Sequence, residues 1–193
     1  MNEAAPLLEG LPVLHRLAAA YAPGAAREAL LGLLALDARL AGIVRAAKEP
    51  MLAQLRLAWW RDRLQADPAT WPLRDPVLAA LAGWQGGQGG LAQLVDGWEA
   101  MLGEAPLERS ALELVAQARG QGFATLAEAL GQGHAGNEAA RMGANWGLAD
   151  LAAGLSHPEE QASARAALAC DVVHCRAGGA RGARGGRAVA DAA

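Results

Sequence analysis

Aromatic residues are scarce: six Trp, one Tyr and one Phe, 4% of 193 residues. The core must therefore be packed mainly from Leu, Ala and Val. Two cysteines, Cys170 and Cys175, are too few to frame a disulfide-dense secreted fold. β-Branched residues are also few, and no long stretch alternates apolar with polar side chains, which excludes an extended sheet. No basic start leads into an apolar run, so no signal peptide is expected. The longest apolar run, from Ala29 to Leu36, is too short to span a bilayer and contains Gly32. Positive charge is not in excess: the formal net charge is −3. A nucleic-acid binder would show a basic stripe with interleaved aromatics, and none is present. Also missing are a P-loop, a G-x-S-x-G elbow and a dinucleotide fingerprint.

What is present is a chain that is 53% hydrophobic and 19% charged, long enough for one domain with a sizeable core. Its apolar spacing is helical almost throughout. Pro sits at helix starts, where its missing N–H costs nothing. Pro23 opens a segment to about Lys48, and Pro50 opens Met51 to Gln65. Asp75 and Pro76 form an N-cap and first-turn pair for a short helix ending near Trp84. Further helices are expected over Leu91–Leu102, Pro106–Leu130, Asn137–Leu155 and Pro158–Arg176, with a weaker one around Leu11–Ala20. The expected fold is an all-α, single-domain bundle of seven or eight helices over residues 1–176. Residues 83–90 are expected to form a flexible Gly-rich joint. Residues 177–193, rich in Gly and Arg, are expected to be a disordered tail, inert or touching acidic lipid or RNA through Arg181, Arg184 and Arg187.

Several polar groups fall on apolar faces. On a helical wheel Leu30, Leu33, Leu34, Leu40, Ala41 and Val44 share one face, and Asp37 points into its middle. A buried carboxylate must be paired or line a wet cavity, and Arg27 and Arg45 at the edge of the face are the candidate partners. The segment Leu55–Leu64 has two apolar faces, Met51/Leu55/Ala58/Trp59 and Leu57/Trp60/Leu64. Such a helix is expected to be sandwiched between neighbours. Arg56 and Arg63 lie between the faces beside Trp59 and Trp60, and Asp62 falls on the first face. Gly143, Gly147 and Gly154 form a stripe with Asp150 at its edge, reading either as close helix packing or as room for a ligand. The Cys170–Cys175 stretch with His174 lacks zinc-site spacing and a second Cys/His pair, and His15, His134 and His157 are scattered.

The stretch Glu49-Pro50-Met51-Leu52-Ala53-Gln54-Leu55-Arg56-Leu57-Ala58-Trp59-Trp60-Arg61-Asp62-Arg63-Leu64 resembles the squalene/phytoene synthase family. The similarity is greatest to the short branch that includes a mitochondrial complex I assembly factor. Tyr21-Ala22-Pro23 through Arg27, Leu33 to Asp37, Trp98-Glu99 and Gly143 to Ala152 resemble other segments of that branch, so the likeness covers about residues 11–175. It implies an isoprenoid-synthase fold around a central cavity. The active enzymes of the family join prenyl diphosphates head to head, holding Mg²⁺ with aspartate-rich motifs on facing helices. In this chain Ala41, Gly42 and Arg45 stand where the first motif has aspartates, and Gly154 and Pro158 where the second does. The expectation is a member without metal-dependent catalysis, with no catalytic residue, metal or cofactor. It would bind a lipophilic or isoprenoid ligand, or a protein partner in respiratory-complex assembly. Arg27, Asp37, Arg56, Trp60, Asp62, Arg63 and Asp150 are the candidate ligand and cavity residues. The rivals are an active prenyltransferase, using Mg²⁺ and acids such as Asp37, Asp62 and Asp150, and a structural bundle without ligand. A cytoplasmic location is expected, at most peripheral to the inner membrane, with no transmembrane segment and no nucleic-acid partner.

Overall fold

The apolar run Ala29–Leu36 lies inside a helix whose residues Leu31 to Asp37 are all buried. A helix apolar on every side has no face to give to water, so it becomes the axis of the bundle. This helix, α3 (Gly24–Arg45), packs against α1 (Ala5–Glu9), α2 (Val13–Tyr21), α4 (Pro50–Gln65), α5 (Pro76–Ala82), α6 (Ala92–Glu99) and α7 (Arg109–Ala129). The chain continues through α8 (Gly136–Gly154) and α9 (Pro158–Gly182). The computed structural model describes residues 5–84 and 87–182. Among these residues there are nine α-helices, three short 3-10 turns and no strand, so the fold is all-α.

Local chemistry sets the helix starts. Pro50 and Pro76 occupy first turns, and the Asp75 side chain accepts from the Val77 and Leu78 N–H groups. The expected starts at Pro50, Pro76 and Pro158 coincide with the observed ones. Others shift: α3 stops at Arg45 rather than Lys48, and α7 begins at Arg109 rather than Pro106. The last helix runs on to Gly182, past the Arg176 end expected for it, and residues 183–193 of the expected tail lie outside the described residues. In the Gly-rich segment 83–90, Gln88 is buried and its amide donates to the Leu81 and Trp84 carbonyls, which anchors that end. Residues 85 and 86 of that segment lie outside the described residues.

The sandwich expected around α4 is not formed. Ala53, Leu57, Trp60 and Leu64 are buried, but Met51, Leu55 and Trp59 on the other face are exposed. One apolar face meets α3 and α6; the other is open among the described residues. Arg61 adds a polar tie to α6, donating to Asp96 (2.7 Å) and Glu99 (2.5 Å).

Missing side chains set the closest helix pair, α7 with α8. A Cβ on Gly120 would strike the Ala140 carbonyl oxygen, and one on Gly143 would lie 2.6 Å from Phe123 Cδ2. A Cβ on Gly147 would lie 3.1 Å from Arg119 Cδ. Gly143 and Gly147 thus serve close packing, whereas Gly154 has nothing within 4 Å of its Cβ position.

Candidate functional site

Asp37, carried into the interior by α3, is 2% exposed. Its partner is neither Arg27 nor Arg45 but Arg119 of α7, itself 3% exposed. Arg119 Nε and Nη2 donate to Asp37 Oδ1 and Oδ2 at 3.0 and 2.9 Å, a bidentate fork. The Trp98 indole N–H donates to the same Oδ1 at 2.8 Å. Arg119 Nη2 also meets Asp150 Oδ2 of α8 at 3.0 Å, and Nη1 donates to the Gly147 carbonyl at 3.3 Å. The guanidinium carbon lies 4.9 Å from the Trp98 ring centre and 5.0 Å from that of Trp146, so it touches two indoles. His15 of α2 closes the cluster, 5.0 Å from Trp146 and with Nε2 3.7 Å from Asp150 Oδ1. That separation is too long for a hydrogen bond, and both ring nitrogens are buried without a hydrogen-bond partner.

Electrostatics follow from this arrangement. Burial disfavours the Arg119 charge, yet Asp37 and then Asp150 outweigh it, and the guanidinium is held above its ordinary value. Burial would raise the Asp150 carboxyl, but the His15 ring and Arg119 outweigh it and hold that carboxyl below its ordinary range. Two carboxylates thus share one guanidinium at the centre of the bundle.

Arg27 and Arg45 miss Asp37 for geometric reasons. Arg27 donates to the carbonyls of Ala19, Ala20 and Ala22 at 3.2, 3.1 and 3.4 Å, closing the C-terminus of α2. Arg45 lies two turns beyond Asp37, about 12 Å along the axis, and is exposed at the end of α3. There it lines a cleft of about 410 Å³ with Val44, Trp98, Leu107, Asp150, Gly154 and His157. Asp150 therefore has two sides: its oxygens face Arg119 and His15 in the buried cluster, and the residue borders the cleft.

The other expected site residues do not gather here. Trp60 is buried, edge-on to Trp59 at 5.2 Å, with Arg39 5.9 Å above its ring. Arg56 is exposed and lines a separate groove of about 280 Å³ with Arg39 and Gly42. Asp62 is exposed, and Arg63 is half-buried with its Nε unpartnered. Of the seven residues expected at the site, only Asp37 and Asp150 come together. Arg119, His15, Trp98 and Trp146 are cluster members that the sequence reading does not pick out. Arg119 carried a usable signal: Val115, Gly122 and Leu126 share its helix face, so it too is a charge on an apolar stripe.

The carboxylates bordering the cleft do not fit Mg²⁺. Asp150 is engaged by Arg119, and Glu160 Oε1 accepts the Leu107 N–H at 2.8 Å. Arg45 places a fixed positive charge on the same wall. Mg²⁺ requires free oxygens in near-octahedral array, which this donor set does not offer. No family model, no curated protein and no solved structure matches this chain. Among the described residues, no helix is long and apolar enough to cross a membrane.

Proposed function

We propose that this chain is a squalene/phytoene synthase-like binding protein without metal-dependent prenyl transfer, and that its ligand is lipophilic, of isoprenoid type, seated in the cleft beside Asp150. The observation that carries the reading is that Arg45 and Gly154 line one and the same cleft. These positions correspond, by the resemblance, to aspartates of the two metal motifs. Their convergence is what a synthase-like arrangement requires, and their chemistry is what loss of the metal requires. The cleft volume, about 410 Å³, is in the range of small-molecule sites. Val44, Met101, Leu107, Leu151 and Leu155 supply an apolar lining, and Arg45 and His157 supply polar contacts.

The rival transferase would need Asp37, Asp62 and Asp150 to act together. Asp62 is exposed on α4 while the other two share Arg119, which weighs against it. Partner binding, as in respiratory-complex assembly, is the second reading and is favoured by the outward apolar face of α4, with Met51, Leu55 and Trp59 at 71, 62 and 43% exposure. Native purification followed by mass spectrometry of bound lipids and proteins separates the readings. A co-purifying isoprenoid that is lost in Gly154→Leu, which fills the cleft, supports the ligand reading. A protein lost in Leu55→Ser supports the second, and neither of these leaves the structural bundle.

A further inference from the structure

The cleft beside Asp150 is apolar over most of its lining, and its few polar groups decide what head group it takes. Arg45 is its one fixed cation among the described residues, and it is exposed at the end of α3. Asp150 and Glu160 place two carboxylates in the same lining. The charge of Asp150 is not cancelled from behind, because Asp150 and Asp37 share the single guanidinium of Arg119. Arg45 and Arg119 thus set two positive charges against the three negative ones of Asp37, Asp150 and Glu160, a net of −1 with the histidines neutral.

Glu160 is 5% exposed, and its one hydrogen bond among the described residues comes from the neutral Leu107 N–H, at 2.8 Å to Oε1. A buried carboxylate without a cation repels a second anion and accepts from a donor. Three residues before it, at the entry to α9, His157 lines the same cleft, with Nδ1 buried and without a hydrogen-bond partner. The Trp98 indole N–H, which borders the cleft, is already spent on Asp37. A diphosphate needs several donors or cations converging on it. This lining offers one exposed arginine beside two carboxylates. A hydroxyl has other needs: a single oxygen both donates and accepts, so it can donate to the Glu160 carboxylate and meet the open Nδ1 of His157. It also brings no charge that must leave water.

We propose, resting on the reading of this cleft as the ligand site, that its ligand is an uncharged isoprenoid alcohol rather than a prenyl diphosphate. Its hydroxyl is held by Glu160 and His157, and its hydrocarbon chain lies along Val44, Met101, Leu151 and Leu155. The test is titration calorimetry of the full chain, free of divalent metal, with farnesol and with farnesyl diphosphate, alongside thermal unfolding of each variant. Wild type is expected to bind farnesol at least about tenfold more tightly than the diphosphate, because juxtaposed like charges are costly. Glu160→Gln keeps an acceptor for the Leu107 N–H and removes a negative charge, so it should narrow that preference by about threefold or more. His157→Ala should weaken farnesol about fivefold, the effect of one lost hydrogen bond. Arg45→Gln, at an exposed position, should leave farnesol binding within about twofold, as loss of a rim charge does. A diphosphate bound as tightly as farnesol, or a loss of farnesol of about tenfold in Arg45→Gln, overturns the inference and leaves the cleft a ligand site. Binding of neither compound, or farnesol binding that Gly154→Leu leaves unchanged, overturns the reading of the cleft itself and the inference with it.

Discussion

Arg119 is the residue on which the interior depends, because it answers two carboxylates and lies against two indoles at once. Asp37→Asn leaves a buried guanidinium short of a counter-charge, and about 3 kcal/mol of stability should be lost in urea unfolding. A double-mutant cycle with Arg119→Met should show strong coupling, and the same cycle with Arg27 or Arg45 should show none. Asp150 gives a pH signature. Its carboxyl is lower in the folded chain than in the unfolded one, so its contribution is complete above about pH 4, the ordinary Asp value, and is lost as pH falls through the folded-state value. Asp150→Asn should therefore lower Tm at pH 7 and flatten the fall in Tm between pH 5 and 3, readable by calorimetry. Trp60→Ala should cost about 3–5 kcal/mol, as truncations of large buried side chains do. A loss below about 1 kcal/mol would mean that its burial contributes little.

At the scale of elements, α7 and α8 meet through glycines whose backbones cannot yield. Gly120→Ala drives a methyl into the Ala140 carbonyl and should destabilise by about 1–3 kcal/mol, the usual cost of overpacking. Gly154→Ala meets nothing and should be neutral or stabilising by up to about 1 kcal/mol. The pair, compared by thermal unfolding, separates packing glycines from the one beside the cleft. Much of this layer was legible in sequence. Pro50, Pro76 and Pro158 marked their helices because a ring at the first turn loses no hydrogen bond. Asp37 was legible as buried because the six apolar residues sharing its face left it no other direction. Its partner was not, because Arg119 lies 82 residues away and helix wheels carry no information on which faces meet. The role of α4 was misread for a related reason: two apolar faces were visible, but whether both find neighbours depends on how many helices surround α3.

For the whole molecule, the bundle places a closed ionic cluster behind a cleft, with Asp150 shared between them. Closing the carboxylates onto Arg119 satisfies the interior and removes the free oxygens that Mg²⁺ would need. Arg45 adds a positive charge to the lining of the same cleft. Binding without metal-dependent transfer is the claim on which the account stands. Its most direct measurement is pyrophosphate release by the purified chain given farnesyl or geranylgeranyl diphosphate, with and without Mg²⁺. The account predicts no release above the protein-free background in either condition. Mg²⁺-dependent release that disappears in Asp37→Ala or Asp150→Ala would contradict it.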